Sequence, residues 1–208
     1  MRLLCLTMVL VCLPAIAQMA ELKDVPLTPG VTRDAGRLSI QTEMSGAVTF
    51  VDSGEQRVKH AYGGRYTGIP FHVVHYTYGF EGHGSLVVSA IDGEKYNFAD
   101  APVASPDSRL LLAVWGAECC GANGVWLSAV EPPKLRTLVA YEPQGYELYS
   151  FVGWIKDGAT WSVSLEKFIH APRGRCETAF MRVPVLLKNE AGAWRFNPDD
   201  KSGRCVRE

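Results

Sequence analysis

The residues through which this chain could do chemistry are its histidines, serines, cysteines and paired carboxylates, and their spacing limits what that chemistry can be. There are five histidines. His72 and His75 are three apart, which suits one face of a helix. The run 70–78 is aromatic and β-branched, however, and in a strand an odd offset puts the two rings on opposite faces, where they cannot share an ion. His75, Glu81 and His83 have the right types for a metal only if the turn 79–84 folds them together, so the expected set of metal ligands, and of cofactors, is none. A serine nucleophile would need a Gly-x-Ser-x-Gly elbow, and Gly82-His83-Gly84-Ser85 falls short of it. Glu142 with Glu147, and Asp199 with Asp200, lie in turn-like or tail segments and read as solvated surface. Gly63-Gly64 has no following helix to cradle a phosphate. No catalytic residue is nominated, and the chain is expected not to be an enzyme.

Six cysteines are present, of which Cys5 and Cys12 fall in an N-terminal apolar stretch. Cys119, Cys120, Cys176 and Cys205 remain. Four cysteines in an exported chain suggest disulfides and allow three pairings. Cys176 and Cys205 end similar stretches, Arg173-Gly174-Arg175-Cys176 and Ser202-Gly203-Arg204-Cys205. A bridge between them would staple the C-terminal tail. Cys119 and Cys120 could form a vicinal bridge, or each could take one C-terminal cysteine. The sequence leaves the pairing open.

The adjacent cysteines sit in the most distinctive segment, residues 116–124, small, polar and glycine-bounded between two apolar runs. A loop held in one shape loses little entropy on binding and can enter a partner's cleft. Glu118, Cys119, Cys120, Gly121 and Asn123 are therefore the candidate partner-binding residues, with a purely structural loop as the competing reading. Trp115, Trp126, Trp154 and Trp161 fall in strand-like runs and are expected in the core, unless they line an exposed face as a glycan platform.

These residues need elements to position them. Arg2, the apolar run 3–13, Pro14 and Ala15-Ile16-Ala17 read as a secretory leader, residues 1–17. The run is about 11 residues, against the roughly 20 that a bilayer span requires. Without residues 1–17, 191 of the 208 residues remain, with 20 basic against 22 acidic side chains. That near-neutral balance argues against a nucleic-acid surface, and no second apolar stretch is long enough for insertion into a membrane. Residues 18–37, with Pro26, Pro29 and Gly30, read as an extended arm. Residues 38–208 read as a single all-β domain of short strands broken every 8 to 12 residues by turn signals such as Asp92-Gly93, Ser105-Pro106-Asp107 and Lys156-Asp157-Gly158.

A weak repeat runs through the strands: Asp107-Ser108-Arg109 before the apolar run 110–115, and Asp157-Gly158-Ala159 before 160–165. Its period of about 50 fits a four-stranded unit. Residues 103–141, with the Ser105-Pro106-Asp107-Ser108-Arg109 turn and Val125-Trp126-Leu127, resemble a repeat of TolB-type and WD-repeat β-propellers. The resemblance implies antiparallel sheets in an incomplete or three-bladed propeller-like arrangement, with a β-sandwich as the alternative. A leader-bearing protein of this architecture also resembles the periplasmic immunity proteins that neutralise type VI secretion amidase effectors. That likeness implies a non-enzymatic partner of a secreted peptidoglycan-degrading protein, with 116–124 as the inserted loop. An envelope hydrolase with a histidine-based metal site and a glycan-binding envelope module are the other classes.

Overall fold

A computed structural model describes residues 22, 24–79, 82–116, 123–143 and 147–206. Within them the chain forms four antiparallel sheets, none closed into a barrel. The first sheet is the meander β1 (Val31–Asp34), β2 (Arg37–Gln41) and β3 (Ala47–Val51). The second runs β4 (Lys59–Arg65), β5 (Phe71–Tyr78), β6 (Gly82–Ser89) and β7 (Lys95–Phe98). The third runs β8 (Val103–Ala104), β9 (Leu110–Trp115), β10 (Gly124–Glu131) and β11 (Lys134–Tyr141). The fourth contains β12 (Leu148–Asp157), β13 (Thr160–His170), β14 (Phe180–Glu190) and β15 (Ala193–Pro198), with β16 (Arg204–Cys205) returning to β14.

The sheets pack in chain order, and each interface has its own core. Val31, Leu38, Ile40 and Phe50 of the first sheet meet Tyr62, Val74 and Val88 of the second. Phe71, Val87 and Phe98 of the second meet Leu111 and Ala113 of the third. Leu112, Val125 and Leu127 of the third meet Val163, Leu165, Val185 and Leu187 of the fourth. The third sheet is thus buried on both faces, which is why β9 reads as the unbroken run Leu-Leu-Leu-Ala-Val-Trp rather than as an alternation. In β14, at the end of the stack, the alternation returns. Met181, Val183, Val185 and Leu187 are buried, and Arg182, Pro184, Leu186 and Lys188 turn outward.

The all-β antiparallel class expected from the turns is what the structure has, as three sheets of four or more strands after a three-stranded first one. The repeated Asp-x-x turns occupy equivalent places, each joining the first strand of its sheet to the second. In the earlier copy Ser105 Oγ donates to Asp107 Oδ1 at 2.7 Å and accepts from the Leu110 N–H at 2.9 Å, so the turn is tied to the strand it opens. The expected arm 18–37 is shorter than the sequence suggested. β1 occupies Val31–Asp34 and pairs with β2, because the turn at 35–36, with Ala35 and Gly36 both at positive φ, folds it back. No helix among the described residues is long and apolar enough to cross a membrane. Residues 1–17 lie outside the described residues.

Candidate partner-binding rim beside the β9–β10 loop

The loop 116–124 joins β9 to β10. Glu118, Cys119, Cys120 and Gly121 lie outside the described residues, whereas both feet of the loop are described. Gly116 ends one side, and a Cβ placed on it would lie 3.5 Å from Leu148 Cδ2. On the other side Asn123 Nδ2 donates to the Glu147 carbonyl at 3.3 Å. Both feet therefore stand on the start of β12. Gly124 is required there, because any Cβ would fall 2.3 Å from the Trp115 ring. Trp115 in turn packs edge-on against Trp126 at 5.7 Å, and this pair fills the interface between the second and third sheets.

The ground under the loop is fixed by a polar and aromatic cluster. Glu147 accepts from Tyr141 Oη at 3.4 Å and sits 3.6 Å from Lys167 Nζ. Tyr141 packs edge-on to Tyr149 at 5.9 Å. Burial, together with the Tyr141 hydroxyl and the Glu147 carboxylate, raises the pKa of Tyr149, and burial ahead of Glu147 raises that of Tyr141. Both phenols therefore keep their protons at neutral pH and act as donors.

Beside the loop lies an open groove of about 380 Å³, lined by Gly116, Leu148, Ser150, Glu166, Phe168 and Arg182 among others. Its floor is the outer face of the fourth sheet. Leu148 is opposite Phe168, which is opposite Arg182, and Ser150 is opposite Glu166, so these side chains project from one face. Arg182 Nη1 donates to Glu166 Oε2 at 3.0 Å. Phe180 stacks on Phe168 at 4.9 Å with His170 tilted against it at 4.5 Å, extending the apolar surface. The sequence pointed to the loop but not to this groove, because Leu148, Phe168 and Arg182 come from three different strands.

The cysteine question is answered at the C-terminus. Cys176 and Cys205 form a disulfide with Cα atoms 5.5 Å apart, and this pairing takes both C-terminal cysteines. It ties the β13–β14 connection to β16.

The histidines do not converge. His72 and His75 project from opposite faces of β5, as the odd offset requires. His72 is 3 % exposed, with Nδ1 2.9 Å from Tyr62 Oη, which lies 2.7 Å from Thr28 Oγ1. Burial, helped by the nearby Arg65 charge, depresses the His72 pKa to about 4, so the ring is neutral at neutral pH. His75 faces the other way, with Nδ1 2.9 Å from Ser85 Oγ, and burial lowers its pKa against the pull of Asp100. A Cβ on Gly63 would lie 2.5 Å from His75 Nε2, so that ring is boxed in, and Ser85 is 2 % exposed. Glu81 lies outside the described residues. No group of three or more His, Cys, Asp or Glu among the described residues is placed to hold a metal ion.

Of the tryptophans named as a possible platform, Trp115 and Trp126 pack in the second core and Trp154 against the third. The indole N–H groups of Trp126 and Trp154 are buried without a partner among the described residues. A different aromatic pair reaches the surface, with Tyr78 exposed and Tyr76 half-buried. Tyr76 and Tyr78 stack at 6.0 Å on β5, each ring lying across Gly84 or Gly82 of β6.

No family model, no curated protein and no solved structure matches this chain.

Proposed function

We propose that this chain is an exported, non-enzymatic protein that binds another protein through residues 116–124. On this reading it is an immunity or inhibitor protein of the periplasm that blocks a secreted cell-wall-degrading toxin. One observation carries the reading: both feet of the loop are pinned to β12 beside an open groove whose apolar floor, Leu148 and Phe168, is bordered by the Glu166–Arg182 pair. Anchored loop feet next to an apolar floor with a polar border match the anatomy of an anchor region and its rim. The Cys176–Cys205 bridge supports an oxidising compartment. In a pull-down of envelope proteins on the tagged, oxidised protein, a single predominant partner is captured, and replacing residues 117–122 with a glycine-serine linker abolishes capture. A partner held equally well by the linker variant, or none held by the original, would overturn the proposal.

A second reading, a glycan-binding envelope module, has one observation in its favour: Tyr78 is 52 % exposed and stacked beside Tyr76, a flat surface on which a sugar ring could rest. It requires the protein to sediment with purified peptidoglycan and the Tyr78→Ala variant to stay in solution.

A further inference from the structure

The two C-terminal Gly-Arg-Cys stretches are brought together by the disulfide, and with them two arginines. Arg175 and Arg204 line an open cavity of about 980 Å³ around Cys176 and Cys205, with Glu177, Thr178 and Val206. Arg175 donates through Nη2 to the Asp200 carbonyl, which orients the guanidinium without neutralising it. Among the described residues neither arginine has a carboxylate partner, and Glu177 is the one acid in the described lining, which therefore carries a net positive charge.

The strand register joins this cavity to the groove beside the β9–β10 loop. Leu148 is opposite Phe168, Phe168 opposite Arg182, and Arg182 opposite Arg204. Directly opposed residues of antiparallel strands share a face, so the four form one row across β12, β13, β14 and β16. Three inter-strand steps of about 4.8 Å make the row ~14 Å long. It is apolar at the loop end and cationic at the disulfide end. Arg182 stands between, already sharing its charge with Glu166.

We infer that this row is a docking strip for an acidic segment of the protein partner, with an apolar side chain seated on Leu148 and Phe168 and carboxylates held by Arg204 and Arg175. The inference rests on the protein-binding reading above and names the chemistry of the partner. A mixed apolar and acidic peptide fits better than a bare phosphate, because half the strip is hydrocarbon and Glu177 repels a dense polyanion. Two guanidiniums present fork-shaped donors that match carboxylates two at a time. An extended peptide rises about 3.3 Å per residue, so the apolar anchor and the first acid should lie about four residues apart.

The test is a titration of the isotope-labelled, oxidised protein with the peptide acetyl-Leu-Gly-Ser-Gly-Asp-Glu-Asp-amide, followed by NMR. Saturable shifts are expected at Phe168, Arg175, Arg182 and Arg204. Affinity should fall at least tenfold in Arg204→Glu and in Arg175→Glu, stay within about threefold in Arg204→Lys, and fall on reduction of the disulfide. A peptide with lysines in place of the acids should give no saturation. No shifts, equal affinity for Arg204→Glu, or competition by millimolar inorganic phosphate as effective as the peptide's own binding would overturn the inference. Loss of partner capture in the linker variant, with no peptide binding at this strip, would sink this inference and leave the proposed function standing. Peptide binding without any captured partner would do the reverse.

Discussion

The two ends of the stack solve the same problem with different chemistry. At the N-terminal end, residues 24–28 are held on β4 without a covalent bond. Asp24 takes a bidentate grip from Arg33 at 2.9 and 3.0 Å and accepts the Tyr62 N–H at 2.6 Å, while the Val25 N–H donates to the Tyr62 carbonyl at 2.9 Å. Arg33 reaches on to Asp52 at 3.5 Å, and Asp52 accepts the His60 N–H at 2.8 Å. At the C-terminal end a disulfide adds a covalent tie to hydrogen bonds such as that from Thr178 Oγ1 to the Val206 carbonyl at 2.8 Å. The outer faces differ too. Thr32, Ser39 and Thr49 form a hydroxyl row across the first sheet, with Asp34, Arg37 and Val51 beside it. The last sheet presents Leu148, Phe168, Phe180 and Leu186 with Arg182 among them. The first face is mostly polar, although Val51 is 55 % exposed on it. The other sets half-buried apolar side chains beside the exposed Arg182 and Arg204.

The largest test of that contrast is the covalent end. The Cys176→Ser, Cys205→Ser double variant should lose about 3 to 4 kcal/mol by the chain-entropy model for a 29-residue separation, read from urea unfolding. Reduction with dithiothreitol should reproduce the loss in the original protein and change nothing in the variant. An unchanged midpoint would mean that the two ends are held alike.

Next comes the buried His72 under the N-terminal clasp. Its pKa in the fold, about 4, is below the ordinary value of 6.5, so the unfolded chain binds the proton more readily. Its stabilising contribution is complete above about pH 6.5 and is lost as the pH falls toward 4, a change on the order of 2 to 3 kcal/mol. The His72→Gln variant should be less stable at pH 7 yet show a flatter stability profile between pH 6.5 and 4. A slope equal to the original's would locate the titration elsewhere.

Smaller again is the clasp itself. Asp24→Asn keeps an acceptor for the Tyr62 N–H but loses the charge facing Arg33, and should cost about 1 kcal/mol. Faster amide exchange at Val25 and Tyr62, with exchange in β14 unaltered, would show the effect confined to its own end. Because Arg33 holds the Asp24 carboxyl below its usual pKa, this contribution is present above about pH 4 and fades at lower pH. The smallest change belongs to the finished outer face. Ser39→Ala removes the 3.2 Å contact with Thr49 and should move the unfolding midpoint by no more than about 0.5 kcal/mol.

The parts of the fold legible in the sequence were those where local chemistry repeats. The β7, β13 and β15 strands follow turn signals, and β9 declares itself by an apolar run. β4 went unread because Lys-His-Ala-Tyr-Gly-Gly-Arg has two glycines and no alternation. Its bulge between Tyr62 and Gly64, and the ring of His75 over Gly63, supply what the pattern lacks. β1 is hidden in the sequence because Pro29-Gly30 precedes four residues with a single buried side chain, Val31. At the site, glycines and cysteines marked the loop, and Asn123 proved to be the anchor of its foot. The groove and the arginine row were illegible because they exist only through register. Leu148, Phe168, Arg182 and Arg204 span 56 positions of sequence but share one row of the sheet.

Pro184 stands in the middle of β14, where a missing N–H would normally leave a neighbouring strand one donor short. Here the neighbour is itself interrupted: β15 ends at Pro198, the 3-10 turn Asp200–Ser202 follows, and pairing resumes only at β16. The Asp199 N–H still donates to the Pro184 carbonyl at 2.8 Å. The outermost margin of the molecule is therefore two short pieces with a charged, Asp199-capped corner between them, instead of one long ribbon of unpaired amides. Another molecule cannot easily extend the sheet from that side, so the protein can offer a sticky face at its last sheet without recruiting copies of itself into fibres through the adjoining edge.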